Sequence, residues 1–156
     1  STESELVETA IGQGRTGVTP LYMAMLASAI ANEGLMMRPE IVDHVVYPDG
    51  GTGKTTVPKK LAQICTPEEA AILKEMMVGV VENGTGGAAS VSGVTVAGKT
   101  GTAENATGND HSWFIGFAPA EEPKVAIAVL LENANDGNAS AIAGKVLRAA
   151  LEEMGE

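Results

Sequence analysis

Residues 21–31, Leu-Tyr-Met-Ala-Met-Leu-Ala-Ser-Ala-Ile-Ala, carry no charge and are apolar or small on nearly every side of a helix. Thr19 offers an N-cap oxygen, Pro20 suits the first helical position, and Asn32-Glu33-Gly34 ends the run with Gly34 as a left-handed cap. A helix that is apolar all round must be covered from several directions. The chain therefore has to surround this segment with packed structure. Its 156 residues suit one domain or part of one. With aromatic residues at 3%, that packing falls to Ala, Val, Ile, Leu and seven Met.

Two further helices are signalled. Thr66 and Glu69 form a capping box with Pro67 between them, and Ile72, Leu73, Met76, Met77, Val80 and Val81 follow as a one-sided apolar stripe. Ile142, Ala143, Val146, Leu147, Ala150 and Leu151 repeat that spacing in a helix over roughly 139–153. Between these two helices the pattern turns to strands. "VTVAGKTGTAE" alternates β-branched with small residues, and "SWFIGFA" (112–118) and "KVAIAVLLE" (124–132) flank a short loop, as in an antiparallel hairpin. The last run is almost continuously apolar, which predicts a strand covered on both faces. A shorter strand is expected within 36–47, followed by a turn-rich exposed loop or hairpin at 48–60. The order of elements predicts an α+β fold, a single domain with helices packed on an antiparallel sheet of three main strands.

The formal net charge of −10 argues against nucleic acid and anionic membrane surfaces as partners, and equally serves solubility. Cys65 is the only cysteine, so no internal disulfide and no cysteine cluster can form. His44 and His111 lie far apart without ligand spacing, and neither a metal nor a cofactor is expected. No segment has the length and apolarity of a membrane helix, and no signal peptide opens the chain. The opening "STESELVETAIGQG" reads as entry into the middle of something, so the missing targeting signal says little about location.

Gly93-Val-Thr-Val-Ala-Gly98-Lys99-Thr100 fits the phosphate-loop pattern G-x-x-x-x-G-K-[ST] letter for letter. A phosphate loop needs a strand before its first glycine and a helix starting at the Lys-Thr. Here the residues between the glycines favour extended structure, and "GTAENATGND" after Thr100 has no helical periodicity. A nucleotide is therefore not expected. "GGTGKTT" at 50–56 fails outright, because Pro48 stands where the first glycine would be.

Lys99 is instead the only basic residue between Lys74 and Lys124, at the end of an alternating strand. Thr100 and Thr102 share one face of that strand, and Gly101 allows another backbone to approach. The ammonium and two hydroxyls suit an anionic group such as a carboxylate; an edge strand with a solubilising lysine uses the same residues.

Lys99-Thr100-Gly101-Thr102 resembles the K-T-G-T motif of the penicillin-binding protein transpeptidases. "TAIGQGRTGVTPLYMAMLASAIANEG", "VAGKTGTAE" and "SWFIGFAPA" resemble segments of the class B, high-molecular-mass members, in the same order and spacing. The similarity runs from about Glu8 to Leu151. It implies part of a penicillin-binding, β-lactamase-like transpeptidase fold. It also implies a D,D-transpeptidase that cross-links peptidoglycan stem peptides ending in D-Ala-D-Ala, and that β-lactams acylate at a serine. By this resemblance Lys99 would supply positive potential near the nucleophile, and the Thr100 and Thr102 hydroxyls would bind the substrate carboxylate. The Thr102 N–H would be an oxyanion donor, and Gly101 would leave room for a substrate lying along the strand.

The family's S-x-x-K and S-x-N motifs are both absent, since no serine here has lysine three residues on or asparagine two residues on. The expectation is therefore a C-terminal piece of a transpeptidase domain, inactive alone, soluble itself, from a parent at the extracytoplasmic face of a bacterial membrane. Its apolar helix and one sheet edge, deprived of cover, predict self-association or local rearrangement. Two other readings share the motif: a non-catalytic penicillin-sensing or substrate-binding module, and a serine β-lactamase relative, which the "GQG…VTPLYMA" segment fits less well.

Overall fold

The computed structural model describes residues 3–10, 12–14, 16–105, 108–134 and 137–155. Helix α1 (Glu3–Ala10) precedes α2 (Pro20–Ala31). Four short strands follow: β1 (Leu35–Met37), β2 (His44–Val46), β3 (Thr52–Thr55) and β4 (Lys60–Gln63). Then come α3 (Pro67–Asn83), a 3-10 turn at Gly87–Ala89, strands β5 (Ala97–Ala103), β6 (His111–Ala118) and β7 (Val125–Leu131), and α4 (Ala139–Met154). The α+β fold expected from the sequence is the one observed. The sheet β5-β6-β7 is antiparallel throughout, and two satellite pairs, β1-β4 and β2-β3, lie outside it.

Local chemistry sets the helix starts. The Thr19 hydroxyl accepts from the Tyr22 N–H at 3.2 Å. Thr66 and Glu69 form both bonds of their capping box, at 2.8 and 3.2 Å. At the end of α2, Gly34 adopts φ +80 and donates its N–H to the Ala29 carbonyl at 2.8 Å. A Cβ there would stand 2.2 Å from the Cys65 carbonyl, so only glycine fits against this half-buried cysteine's backbone.

The sheet is the middle of three layers, and the strand alternation assigns each side chain to a layer. Phe114 and Ala118 of β6 and Val125, Ile127, Val129 and Leu131 of β7 face α4, packing on Ala143, Leu147 and Leu151. Ile115, Phe117 and Ala126 face the other way, toward Ala27 of α2 and Met77 of α3. On β7 the α4 side is thus branched and bulky, whereas Ala126 on the α2 side lets that helix come close. All seven residues of β7 are half-buried, as a strand covered on both faces requires.

Glycines make the β5–β6 pairing tight. Gly98 and Gly116 are cross-strand partners. The Phe114 ring lies where their side chains would be: a Cβ on Gly98 would meet Phe114 Cζ at 2.2 Å. A Cβ on Gly116 would meet the Ala97 carbonyl at 2.4 Å. The ring covers bare backbone on both strands.

Three expectations change. In the chain as it stands α2 is not buried all round: Ala27 and Ala29 are buried, but Leu21 and Tyr22 are 60% and 47% exposed. On α3 the buried face is Ala70, Met77 and Val81, while Ile72, Leu73 and Met76 of the apolar stripe point outward. The sheet reaches only one side of each helix, so apolarity and burial part company. Lastly, β5 begins at Ala97 and not at Val94. Gly93 sits at φ +79 in a tight turn closed by a Val91–Val94 bridge. The segment after Thr100 continues as strand, with Ala106 and Thr107 outside the described residues.

Replacing Gly116 by alanine is expected to lower the unfolding free energy by roughly 1–3 kcal/mol, because the new methyl meets backbone rather than a movable side chain. Gly101→Ala, whose Cβ would touch only Trp113 Cβ at 3.4 Å, should stay within about 0.5 kcal/mol of the parent. Urea denaturation of the two variants compares them directly.

Candidate functional site

Strand β5 pairs with β6 on one side and has no partner strand on the other among the described residues. In an antiparallel ladder alternate residues turn both backbone N–H and C=O toward the partner, and those between turn both away. The carbonyls of Thr100 and Thr102 are both taken by side chains. Lys99 Nζ donates to the Thr100 oxygen at 2.6 Å, and Gln13 Nε2 donates to the Thr102 oxygen at 3.0 Å. These two residues are therefore outward-facing, and their N–H groups lie on the same open edge.

All four sequence-predicted site residues, Lys99, Thr100, Gly101 and Thr102, border one cleft of about 770 Å³. Register separates their side chains: Lys99 and Gly101 share a face with Ile115 and Trp113, whereas Thr100 and Thr102 share the opposite face with Phe114 and Ser112. The ammonium and the hydroxyls thus converge on the free edge from both faces of the sheet. Lys99 is exposed and makes no ion pair among the described residues. Its charge is available to an anion entering the cleft. The Thr100 hydroxyl is held by a 2.6 Å bond to that of Thr85, on the turn just after α3. Helix α3 packs on β5 and brings that turn to the strand.

The cleft also holds residues that sequence reasoning did not assign. Gln13 lies between Gly12 and Gly14, both at positive φ, with its N–H on the Glu8 carbonyl at 2.8 Å. The C-terminal end of α1 thus carries a two-glycine loop over the edge of β5. The signal was present as "GQG", a polar residue between two flexible ones, but its partner is 89 positions away. His111, dismissed as a ligand, stands at the far end of the cleft, with Nδ1 accepting the Asn133 N–H at 3.0 Å. Glu104 and Glu132 also border the cleft, so Lys99 shares it with two carboxylates.

The site can hold a carboxylate beside Lys99 and the threonine hydroxyls. It can also accept an extended peptide along the open edge of β5, since β-strand addition needs only outward N–H and C=O groups. No helix begins at Lys99-Thr100, so the geometry of a phosphate loop is absent.

The profile of the family described as "Penicillin binding protein transpeptidase domain" matches residues 1–152. The chain is 42% identical over 151 residues to the peptidoglycan D,D-transpeptidase PbpA of Mycobacterium tuberculosis, covering 92% of this chain and 30% of that protein. Among solved structures it resembles the D,D-transpeptidase domain of a peptidoglycan glycosyltransferase from Eggerthella lenta, with TM-score 0.84, 44% identity and 88% and 33% of the two chains covered. It likewise resembles penicillin-binding protein A from M. tuberculosis as its imipenem acyl-enzyme complex, with TM-score 0.82, 41% identity and 96% and 33% covered. The penicillin G acyl-enzyme complex of that protein matches with TM-score 0.81, 40% identity and 97% and 35% covered. The chain spans about a third or less of the length of these proteins.

The hydroxyl pair gives a local test. Thr85→Val removes the partner of Thr100 without changing side-chain shape, and should lower stability by roughly 0.5–1.5 kcal/mol in thermal denaturation.

Proposed function

The chain belongs to the penicillin-binding protein transpeptidase family, and we propose that it forms the K-T-G-T wall of a D,D-transpeptidase cleft whose attacking serine lies outside these 156 residues. The observation that carries this reading is the open edge of β5, with Lys99, Thr100 and Thr102 meeting on it. In this reading the chain is the C-terminal part of a transpeptidase domain. Its parent works at the extracytoplasmic face of a bacterial membrane, where peptidoglycan stem peptides are joined. No helix among the described residues is long and apolar enough to cross a membrane.

The reaction is acyl transfer. The serine oxygen attacks the carbonyl of the penultimate D-alanine, and the bond to the terminal D-alanine nitrogen breaks. That nitrogen takes a proton and D-alanine leaves. An amine of a second stem peptide then attacks the serine ester, forming the cross-link and returning the hydroxyl. A β-lactam acylates the same serine, but its amine stays tethered to the ring and the ester persists.

Each residue of the wall has a part. The Lys99 ammonium supplies positive potential where negative charge gathers. The Thr100 and Thr102 hydroxyls hold the terminal carboxylate. The Thr102 N–H, on the open edge, donates to the oxyanion; losing a donor of this kind costs about a hundred- to a thousandfold in rate. Gly101 keeps the strand low enough for a peptide to lie along it as an added strand.

Fluorescent penicillin tests the assignment. The full-length protein carrying this chain should be labelled, and Lys99→Met in that protein should slow labelling by roughly a hundredfold or more. The isolated chain should remain unlabelled; covalent labelling of it alone would sink the reading.

The uncovered apolar faces of α2 and α3 give a further expectation for the isolated chain. Its sedimentation should show concentration-dependent self-association, and Leu73→Glu with Met76→Glu should weaken it. A clean monomer at every concentration would count against exposed docking faces.

A further inference from the structure

The open edge of β5 is not bare. Two of its outward carbonyls are occupied by side chains, Thr100 by Lys99 and Thr102 by Gln13. The two caps differ in origin. Lys99 belongs to the strand and is the neighbour of the residue it caps. Gln13 arrives from a loop 89 residues earlier in the chain, and its carboxamide is chemically a peptide group. Its N–H meets the Thr102 carbonyl as the backbone N–H of an added strand would.

The loop is built to present that group and to let it go. Gly12 (φ +79) and Gly14 (φ +86) flank Gln13, and a Cβ on Gly12 would meet nothing within 4 Å. The main chain is pinned by the Gly12 N–H on the Thr9 carbonyl at 3.0 Å and the Gln13 N–H on the Glu8 carbonyl at 2.8 Å. The half-buried side chain is held at the strand by one bond among the described residues, to the Thr102 carbonyl. Side-chain torsions alone can release it while the backbone stays in place.

We infer that Gln13 is a ligand-mimicking cap: its carboxamide occupies the Thr102 carbonyl, and a peptide or β-lactam amide displaces it on binding. This rests on the transpeptidase reading and adds a specificity-determining residue to it. The consequence is selective. A ligand with a secondary amide N–H that pairs with the Thr102 carbonyl must compete with Gln13, whereas one without that N–H enters against no competitor. An edge whose carbonyls are closed by the protein's own side chains is also protected from pairing with stray strands.

The test is the acylation rate of the full-length protein that carries this chain, comparing wild type, Gln13→Ala and Gln13→Met. Methionine keeps the length and packing of glutamine without its donor. Two β-lactams are compared: penicillin G, which bears a secondary amide next to the reacting ring carbonyl, and imipenem, which bears a hydroxyethyl group there. Both variants should be acylated by penicillin G roughly two- to tenfold faster than wild type, the effect of removing one competing hydrogen bond. Imipenem rates should be unchanged. An unchanged penicillin G rate would overturn the inference, since the Thr102 carbonyl would then be holding both donors on its two lone pairs. So would equal changes with both β-lactams, which would mark a general effect of the loop, or a slower penicillin G rate, which would make Gln13 a partner of the ligand. A wild-type protein acylated by neither compound would remove the transpeptidase reading and this inference with it.

Discussion

A β-strand with one edge unpaired is the constraint around which the rest of the structure is arranged. Unpaired N–H and C=O groups are reactive toward any other extended backbone, so an open edge survives only if everything else about the strand is settled. On β5 the inner edge is paired residue by residue with β6 from Ala97 to Ala103. Gly98 and Gly116 face each other under the Phe114 ring, which shuts that pairing against slippage. Helix α3 covers one face, and its trailing turn supplies Thr85 to fix the Thr100 hydroxyl. What remains without a partner strand among the described residues is a short stretch of backbone at Thr100–Thr102, its carbonyls capped by side chains and the Lys99 ammonium beside it.

The legible parts of this fold were those set by neighbours in sequence. The caps at Thr19 and Thr66 are chemistry over three residues, and both formed as read. The hairpin of β6 and β7 followed from two apolar runs and a short loop. Burial was harder to read, because it depends on what packs against a surface. Residues 72, 73 and 76 have the spacing of a core face, yet α3 turns Ala70, Met77 and Val81 to the core instead. Helix α1 carried no apolar stripe to announce it, and Gln13 acquired its meaning only when β5 came alongside.

The phosphate-loop spelling shows how little a pattern says without its backbone. Gly93 takes a left-handed turn, as a loop glycine would, but Val96 and Ala97 behind it are buried and β5 begins at Ala97. Gly98 is a glycine for packing, forced by a phenyl ring. By Lys99 the chain is in mid-strand, so its amide groups alternate in direction and cannot converge on one phosphate. A lysine so placed can meet an anion only with its side chain, and the open backbone edge has the geometry to pair with an extended segment.

The charge distribution fits that division of labour. A net charge of −10 opposes the approach of any anion at long range, but at physiological ionic strength exposed charges are largely screened beyond about 8 Å. Within that distance the balance is local. Glu104 and Glu132 border the cleft, and Lys99 stands at the strand edge with hydroxyls at hand. A carboxylate is favoured only where it can touch the ammonium and the threonines together, and a free anion placed elsewhere in the cleft meets repulsion. An extended peptide would avoid this difficulty, because pairing with the open edge at Thr102 is indifferent to charge. A neutral strand edge beside the Lys99 ammonium thus suits an extended segment that carries a carboxylate better than it suits a small free anion.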